Sequence, residues 1–333
     1  MREMKRESIA LAGPDIGRDE WLMVRRQGLG GTEVAAIICD QAEPEMKVGC
    51  SVKSTYSIWA KKTGAVPEDS EVTGGVLARG HHLEGYVCHL YQQELPEGTV
   101  LFEHGLRQHP DRPIILATPD RMVDIKNTPL YGMDAKTRRF KKGWGEKGSS
   151  DVPLDVEVQM RAYMEVEDAP YWDVCTLFGL DDMRVYRIMR NRELGEQLLD
   201  IAQAWWDKHV VGGMPPDTDG SEATAKVLAK LHPRVTGTQL RPATPDEHDM
   251  HQELLAVRRQ LRELDVREMA LKNKLKERIG ADPGIGGVAT WKRSKDGATF
   301  NKKAFVAAHP DLYAQFTTPK PGSRRFLVSG EHK

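Results

Sequence analysis

Strand-like and helix-like patterns alternate over the first two thirds of the chain, which predicts an α/β fold with a mixed sheet flanked by helices. A long helical or coiled-coil segment and a small basic α+β tail domain follow. Three observations carry this expectation. Apolar runs of strand length recur near 101–106, 114–118, 130–137, 172–178 and 184–189. Amphipathic helical spacing fills the stretches around them. A 4-3 apolar repeat then begins after Thr244-Pro245-Asp246-Glu247, a capping box with proline at the first helical position. At 333 residues the chain can bury one sizeable core and still carry an appendage.

Taken in order, residues 1–17 read as a loose leader ending at Gly13-Pro14. Trp21 to Arg25 reads as a helix, Gly28 to Gly31 as a glycine turn, and a second helix starts with Thr32 as its cap. Another helix is expected near Ser54 to Thr63. The segment Gly80-His81-His82-Leu83-Glu84 opens one that runs to about Tyr91. Gln159 and Tyr163, four apart, share one face of a further helix. Leu194, Leu198, Ile201 and Trp205 stack at helical spacing over 193–210, so Trp205 and Trp206 read as core. Gly212-Gly213-Met214-Pro215-Pro216 punctuates the end of that body. The expected organisation is a leader (1–17), a main domain (18–222), a linker (223–243), a long amphipathic helix (244–280) and a small basic domain (281–333).

Within the main domain, Pro119-Asp120 and Asp134-Ala135-Lys136 take the form PD…(D/E)xK with thirteen residues between the acids. If 131–137 is a strand, Asp134 and Lys136 share a face and Ala135 points into the opposite layer. Two carboxylates and a lysine converging at a sheet edge suit metal-assisted phosphodiester hydrolysis, because carboxylate oxygens hold Mg²⁺. Glu84 offers a third carboxylate. Asp111 and Asp124 are spare acids, read as turn or surface residues. At the start of the second helix, free N–H groups, the Thr32 hydroxyl and nearby Arg25 make a seat for a phosphate. The tract from Lys136 to Lys142, with Arg138 and Arg139, is a basic patch suited to phosphate contact.

Composition is that of an ordinary soluble protein, 39% hydrophobic and 29% charged. No apolar run approaches the roughly 18 residues a membrane span needs, and the N-terminus lacks a secretory core, so a cytoplasmic protein is expected. The four cysteines are scattered with no CxxC pair, which gives no zinc or iron–sulfur signature and suggests reduced thiols. Net charge is −1, yet residues 281–333 hold nine Lys or Arg against four Asp or Glu. Aromatic residues interleave with those cations. Two readings are open for that tail: a single-stranded nucleic-acid surface or a small domain with an aromatic core. The 244–280 helix reads as a coiled coil or one arm of a helical hairpin.

Taken together and in order, W-x3-R-x6-[ST]-E-V, G-x3-E, PD, [DE]xK and Q-x3-Y resemble the YqaJ-type viral recombinase nucleases. That family includes the exonuclease of phage lambda and lies in the PD-(D/E)XK superfamily. Here the blocks are Trp21 with Arg25 and Thr32, Gly80 with Glu84, Pro119-Asp120, Asp134-Ala135-Lys136, and Gln159 with Tyr163. The resemblance spans about Arg18 to Glu222 and implies a restriction-endonuclease-like fold. It also implies a Mg²⁺- or Mn²⁺-dependent 5′→3′ exonuclease that resects double-stranded DNA ends to 3′ single-stranded tails. Asp120, Asp134 and the Ala135 backbone carbonyl would hold the metal, two ions per site, with Glu84 as an accessory acid. Lys136 would be the catalytic lysine, and Gln159 would position water or phosphate. Arg25 and Thr32 would bind the 5′ phosphate, and Arg138, Arg139 and Tyr163 would contact DNA. The expected partners are DNA ends, a single-strand annealing protein and further copies in a ring-shaped trimer, in the host cytoplasm of a phage or prophage. In some relatives a histidine near Glu84 helps bind manganese, which would fall to His81 or His82. The chain departs from the pattern at Asp134, where many relatives have Glu, and at Arg161, where the lambda-type pattern often repeats Gln. The alternatives are a structure- or site-specific endonuclease on the same fold, or a non-catalytic DNA-binding scaffold.

Overall fold

The computed structural model describes residues 7–67, 75–235, 237, 239–319, 322 and 324–329. Parts of the expected leader (1–6), linker (236 and 238) and tail (320, 321, 323 and 330–333) lie outside the described residues. The chain forms two compact units, Met1–His232 and Pro233–Lys333.

The first unit runs β1 (Ile9–Ala12), α1 (Arg18–Arg25), β2 (Leu29–Gly30), α2 (Gly31–Gln41), α3 (Thr55–Lys62) and α4 (Gly75–Gln93). Then come β3 (Val100–Phe102), β4 (Leu106–Gln108), β5 (Ile115–Ala117), β6 (Arg121–Asp124) and β7 (Tyr131–Arg138). It closes with α5 (Leu154–Glu167), β8 (Tyr171–Phe178), β9 (Asp182–Met189), α6 (Arg192–Trp206) and α7 (Glu222–Leu231). The main sheet has the order β3-β6-β7-β8-β9. Its one parallel pair is β7 with β8; a parallel pair needs a long crossover, and α5 supplies it.

Side-chain alternation along β7 and β8 decides what each face of this sheet carries. Trp172, Val174 and Phe178 join the larger core with Val158, Met160 and Met164 of α5. Tyr131, Met133, Cys175 and Leu177 point the other way, onto Val87, Cys88 and Tyr91 of α4. A mixed sheet between α5 and α4 is the restriction-endonuclease-like α/β arrangement. Gly132 is required at its position, because a Cβ there would lie 2.2 Å from the Trp172 ring.

Several expectations need correction. The leader is partly ordered: β1 pairs antiparallel with β4, Ile9 opposite Gln108, and Arg107 donates to the Ser8 carbonyl at 2.8 Å. The run 101–106 is not one strand. Gly105, at φ +70°, turns the chain out of β3 before β4 enters a second sheet ordered β1-β4-β5-β2. Thr32 does not cap α2; Gly30 does, with its N–H donating to Glu33 Oε2 at 2.8 Å. Most of the expected linker's first half is α7, whose Val227 packs with Tyr56, Ala60 and Val66, so the first unit ends at His232.

In the second unit, α8 (Pro245–Ile279) is a single 35-residue helix, capped by Thr244 and Glu247. It is followed by the two-stranded pair β10 (Gly284–Ile285) and β11 (Ala289–Thr290), then α9 (Lys302–Ala308) and α10 (Pro310–Gln315). The aromatic-core reading of the tail does not hold among the described residues. Trp291, Phe300, Phe316 and Phe326 are all exposed, and no described residue after 280 is buried.

Candidate active site

The two halves of the PD…DxK pattern meet because β6 is shorter than β7. Pairing between them ends at Arg121 opposite Met133, so the flank of β7 beyond Met133 is left to whatever precedes β6. Asp120 takes that place, and its Oδ2 accepts the Ala135 N–H at 2.8 Å. A strand residue presents its N–H and C=O to the same flank, so the Ala135 carbonyl is directed toward Asp120 as well.

Asp134 and Lys136 share the β7 face turned toward α5. Asp134 is 1% exposed, and the Lys136 ammonium donates both to its Oδ2 and, at 3.2 Å, to Gln159 Oε1. Gln159 Nε2 in turn donates to the Tyr163 hydroxyl at 3.2 Å. Burial alone would lower the Lys136 pKa; Asp134 and Asp120 more than reverse this and raise it. The Asp120 carboxyl moves well above the usual range, first by burial and then by the Asp134 charge, with Lys136 opposing. Burial, followed by the Asp134 charge, also pushes the Tyr163 phenol up to about 12. Two carboxylates close enough to resist joint ionisation are a site that gains from a cation.

Glu84 projects from α4, and its charge also raises Asp120. It is held by Arg121, whose Nη1 is 3.3 Å from Glu84 Oε1; Arg121, next to the PD pair, is a site residue the sequence reading did not single out. His81 is highly exposed with Nδ1 4.0 Å from Glu84 Oε2, and His82 is exposed. Asp124 is exposed at the far end of β6, and Asp111 sits in the turn after β4, its N–H donating to His109 Nδ1.

The residues of the expected phosphate seat come together at the start of α2. Arg25 Nη2 lies 3.4 Å from Thr32 Oγ1, and its guanidinium stacks on Trp21, 4.8 Å from the ring centre. Lys62 Nζ, 3.0 Å from Glu33 Oε2, also donates to the Arg25 carbonyl at 2.9 Å. Burial would raise the Glu33 carboxyl, but Arg25, Lys62 and Lys53 hold it at about 2. The Lys53 ammonium is lowered to about 8, by desolvation first, with Arg25, Lys61 and Lys62 adding to it against the pull of Glu33. Lys53 and Lys62 belong to this cluster and were not legible as such, because an isolated lysine carries no spacing signal. The seat and the carboxylates are joined through Gly31. A Cβ there would lie 2.6 Å from the Tyr163 ring and 2.9 Å from Gln159 Cγ.

Of the expected DNA contacts, Arg138 lies on the Asp134 face with its guanidinium 5.8 Å from the Trp144 ring centre. Arg139 is exposed over Phe140. Tyr163 is 5% exposed and packs on Trp172, which makes it a buried support rather than a DNA-facing surface. Arg161, at the position of pattern departure, is tied to Glu157 at 2.7 Å.

The residues present fit a divalent cation. Asp134 Oδ1 is buried with no hydrogen-bond partner among the described residues, and the oxygen donors here are the type Mg²⁺ or Mn²⁺ prefers. No cluster of three or more His, Cys, Asp or Glu forms a ready cage among the described residues, consistent with Glu84 being drawn to Arg121.

Fold and site together give a mixed α/β sheet with two aspartates and a lysine gathered beside β7. Residues 20–170 match the YqaJ-like viral recombinase domain. The chain is similar to the uncharacterized protein YqaJ of Bacillus subtilis strain 168, with 27% identity over 323 residues covering 93% of each. Among solved structures it is similar to an alkaline exonuclease, LHK-Exo, from Laribacter hongkongensis. There the identity is 18% and the TM-score 0.42, covering 64% of this chain and 99% of that one. The same exonuclease in complex with dAMP matches at 18% identity and TM-score 0.42, over 59% of this chain and 94% of that one.

Proposed function

We propose that this protein is a metal-dependent exonuclease that degrades double-stranded DNA from its ends in the 5′→3′ direction. The observation that carries the reading is the meeting of Asp120 with the Asp134–Lys136 strand, through the 2.8 Å bond from Ala135 N–H to Asp120 Oδ2. Asp120, Asp134 and the Ala135 carbonyl would hold Mg²⁺ or Mn²⁺, as one or two ions, with Glu84 within reach. Such cations lower the pKa of water and offset charge on the phosphate.

The chain's own groups do the rest. Lys136, fixed between Asp134 and Gln159, keeps its proton and presents positive charge where a phosphate oxygen gains negative charge. Gln159, anchored on Tyr163, orients the lysine and limits its motion. Arg25, Thr32 and the first N–H groups of α2 bind the 5′-terminal phosphate. Gly31 couples that seat to the Gln159 helix, so an end held in the seat is positioned for attack. The match of residues 20–170 to a YqaJ-like viral recombinase domain supports a role in phage-type recombination. In that role 3′ tails pass to a strand-annealing protein, and a ring of copies encircles the duplex.

The test is Mg²⁺-dependent digestion of a linear duplex labelled at either 5′ or 3′ termini, beside a covalently closed plasmid. Early release of the 5′ label with the plasmid intact is expected. Cutting of the closed circle, or release from 3′ ends first, would replace this reading with an endonuclease or the opposite polarity. Arg25→Ala should erase the preference for 5′-phosphorylated over 5′-hydroxyl ends, measured as a ratio of initial rates on the two duplexes.

A further inference from the structure

Among the described residues, most of the apolar stripe of α8 is exposed, with Leu254 and Leu275 half-buried. Met250, Val257, Leu261, Leu264 and Leu271 are 61%, 44%, 54%, 58% and 55% exposed. With Leu254 and Leu275 they recur at alternating four- and three-residue steps, the seam that one helix offers another. We propose that this seam pairs with α8 of a second copy of the chain, and that the two helices run antiparallel.

The sequence of α8 distinguishes the two directions. In parallel alignment each seam residue faces its own copy. Glu268, which falls on the seam, would then meet Glu268, and Arg267 on one flank would meet Lys272 of the other helix. Both contacts place like charges together, set against one opposite-charge flank pair, Glu253 with Arg258. In antiparallel alignment one register sets Leu261 against Leu264, Leu254 against Leu271 and Met250 against Leu275, each twice by symmetry. Glu268 then faces Val257 and keeps its partner on its own helix, Lys272 Nζ at 2.7 Å. On the flanks, Glu253 comes beside Lys274 and Arg258 beside Asp265, each twice and each joining opposite signs, while Gln260 with Arg267 and His251 with Lys272 add no opposite-charge pair. The capped helix is about 50 Å long, enough for this register to use its full length. The proposal is independent of the nuclease reading, and its test needs no DNA.

The experiment is sedimentation velocity on the full-length protein over a range of concentrations. Four variants accompany the wild type: Leu261→Lys/Leu264→Lys, Glu253→Lys, Lys274→Glu, and the double reversal Glu253→Lys/Lys274→Glu. Removing the central leucines is expected to lower the association state, while circular dichroism remains that of the wild type. Each single reversal should raise the dissociation constant about tenfold, since symmetry doubles the effect of every pair, and the double reversal should restore it. If the leucine variant associates as the wild type does, or the wild type shows no association, a second copy does not cover the seam. If Glu253→Lys weakens association and the double reversal fails to recover it, the helices are not antiparallel in this register.

Discussion

At the scale of single residues, the site is governed by where charge is buried. Asp134→Ala and Lys136→Ala should each lower turnover on linear duplex by several orders of magnitude, because each removes a group placed for charge that develops during reaction. Thermal melting separates lost chemistry from lost fold. With Mg²⁺ at a hundred times its dissociation constant, the wild type should gain about 2.7 kcal/mol, and Asp134→Ala should gain none. Glu33 offers a pH test with a definite sign. Its folded carboxyl is held at about 2 instead of 4.5, so its contribution is complete above about pH 4.5 and is lost as pH falls toward 2. The ceiling is about 3 kcal/mol. Urea titrations of the wild type and Glu33→Gln should differ most at pH 7 and by less than half as much at pH 3.

At the scale of elements, contact between α2 and α5 ties the two halves of the site together, and Gly31 sets its closeness. Gly31→Ala would favour the helix by about 1 kcal/mol, yet its methyl would meet the Tyr163 ring and Gln159 Cγ. We expect a net loss of about 1–3 kcal/mol from overpacking, read by denaturant midpoint, with a fall in turnover as Gln159 is displaced. Much of this scale was legible. Strand spacing put Asp134 and Lys136 on one face, and helical spacing put Gln159 beside Tyr163, because both periodicities are local. What escaped depended on distant pairing: β1, β2 and β6 are two to four residues long and carry no pattern of their own. The run 101–106 misled because its apolar residues serve two sheets, and only the positive φ of Gly105 divides them. Arg121 and Lys62 escaped for the related reason that their roles are defined by ion pairs with residues 37 and 29 positions away.

At the scale of the whole molecule, the three apolar clusters formed among the described residues all lie within the first unit. A chain ending after His232 should therefore fold and keep metal-dependent digestion of linear duplex; a loss of cooperative melting would show that the second unit is needed for the core. The tail's +5 charge was readable from composition, whereas the exposure of its aromatics required the fold. The N-terminal strand carries one further consequence. β1 covers the outer side of β4, and Ser8 hydrogen-bonds both Arg107 and Glu167. A shortened clone starting near Gly13 would bare a row of backbone donors and acceptors, inviting strand-to-strand clumping during expression; trimming for crystallisation belongs at the other terminus.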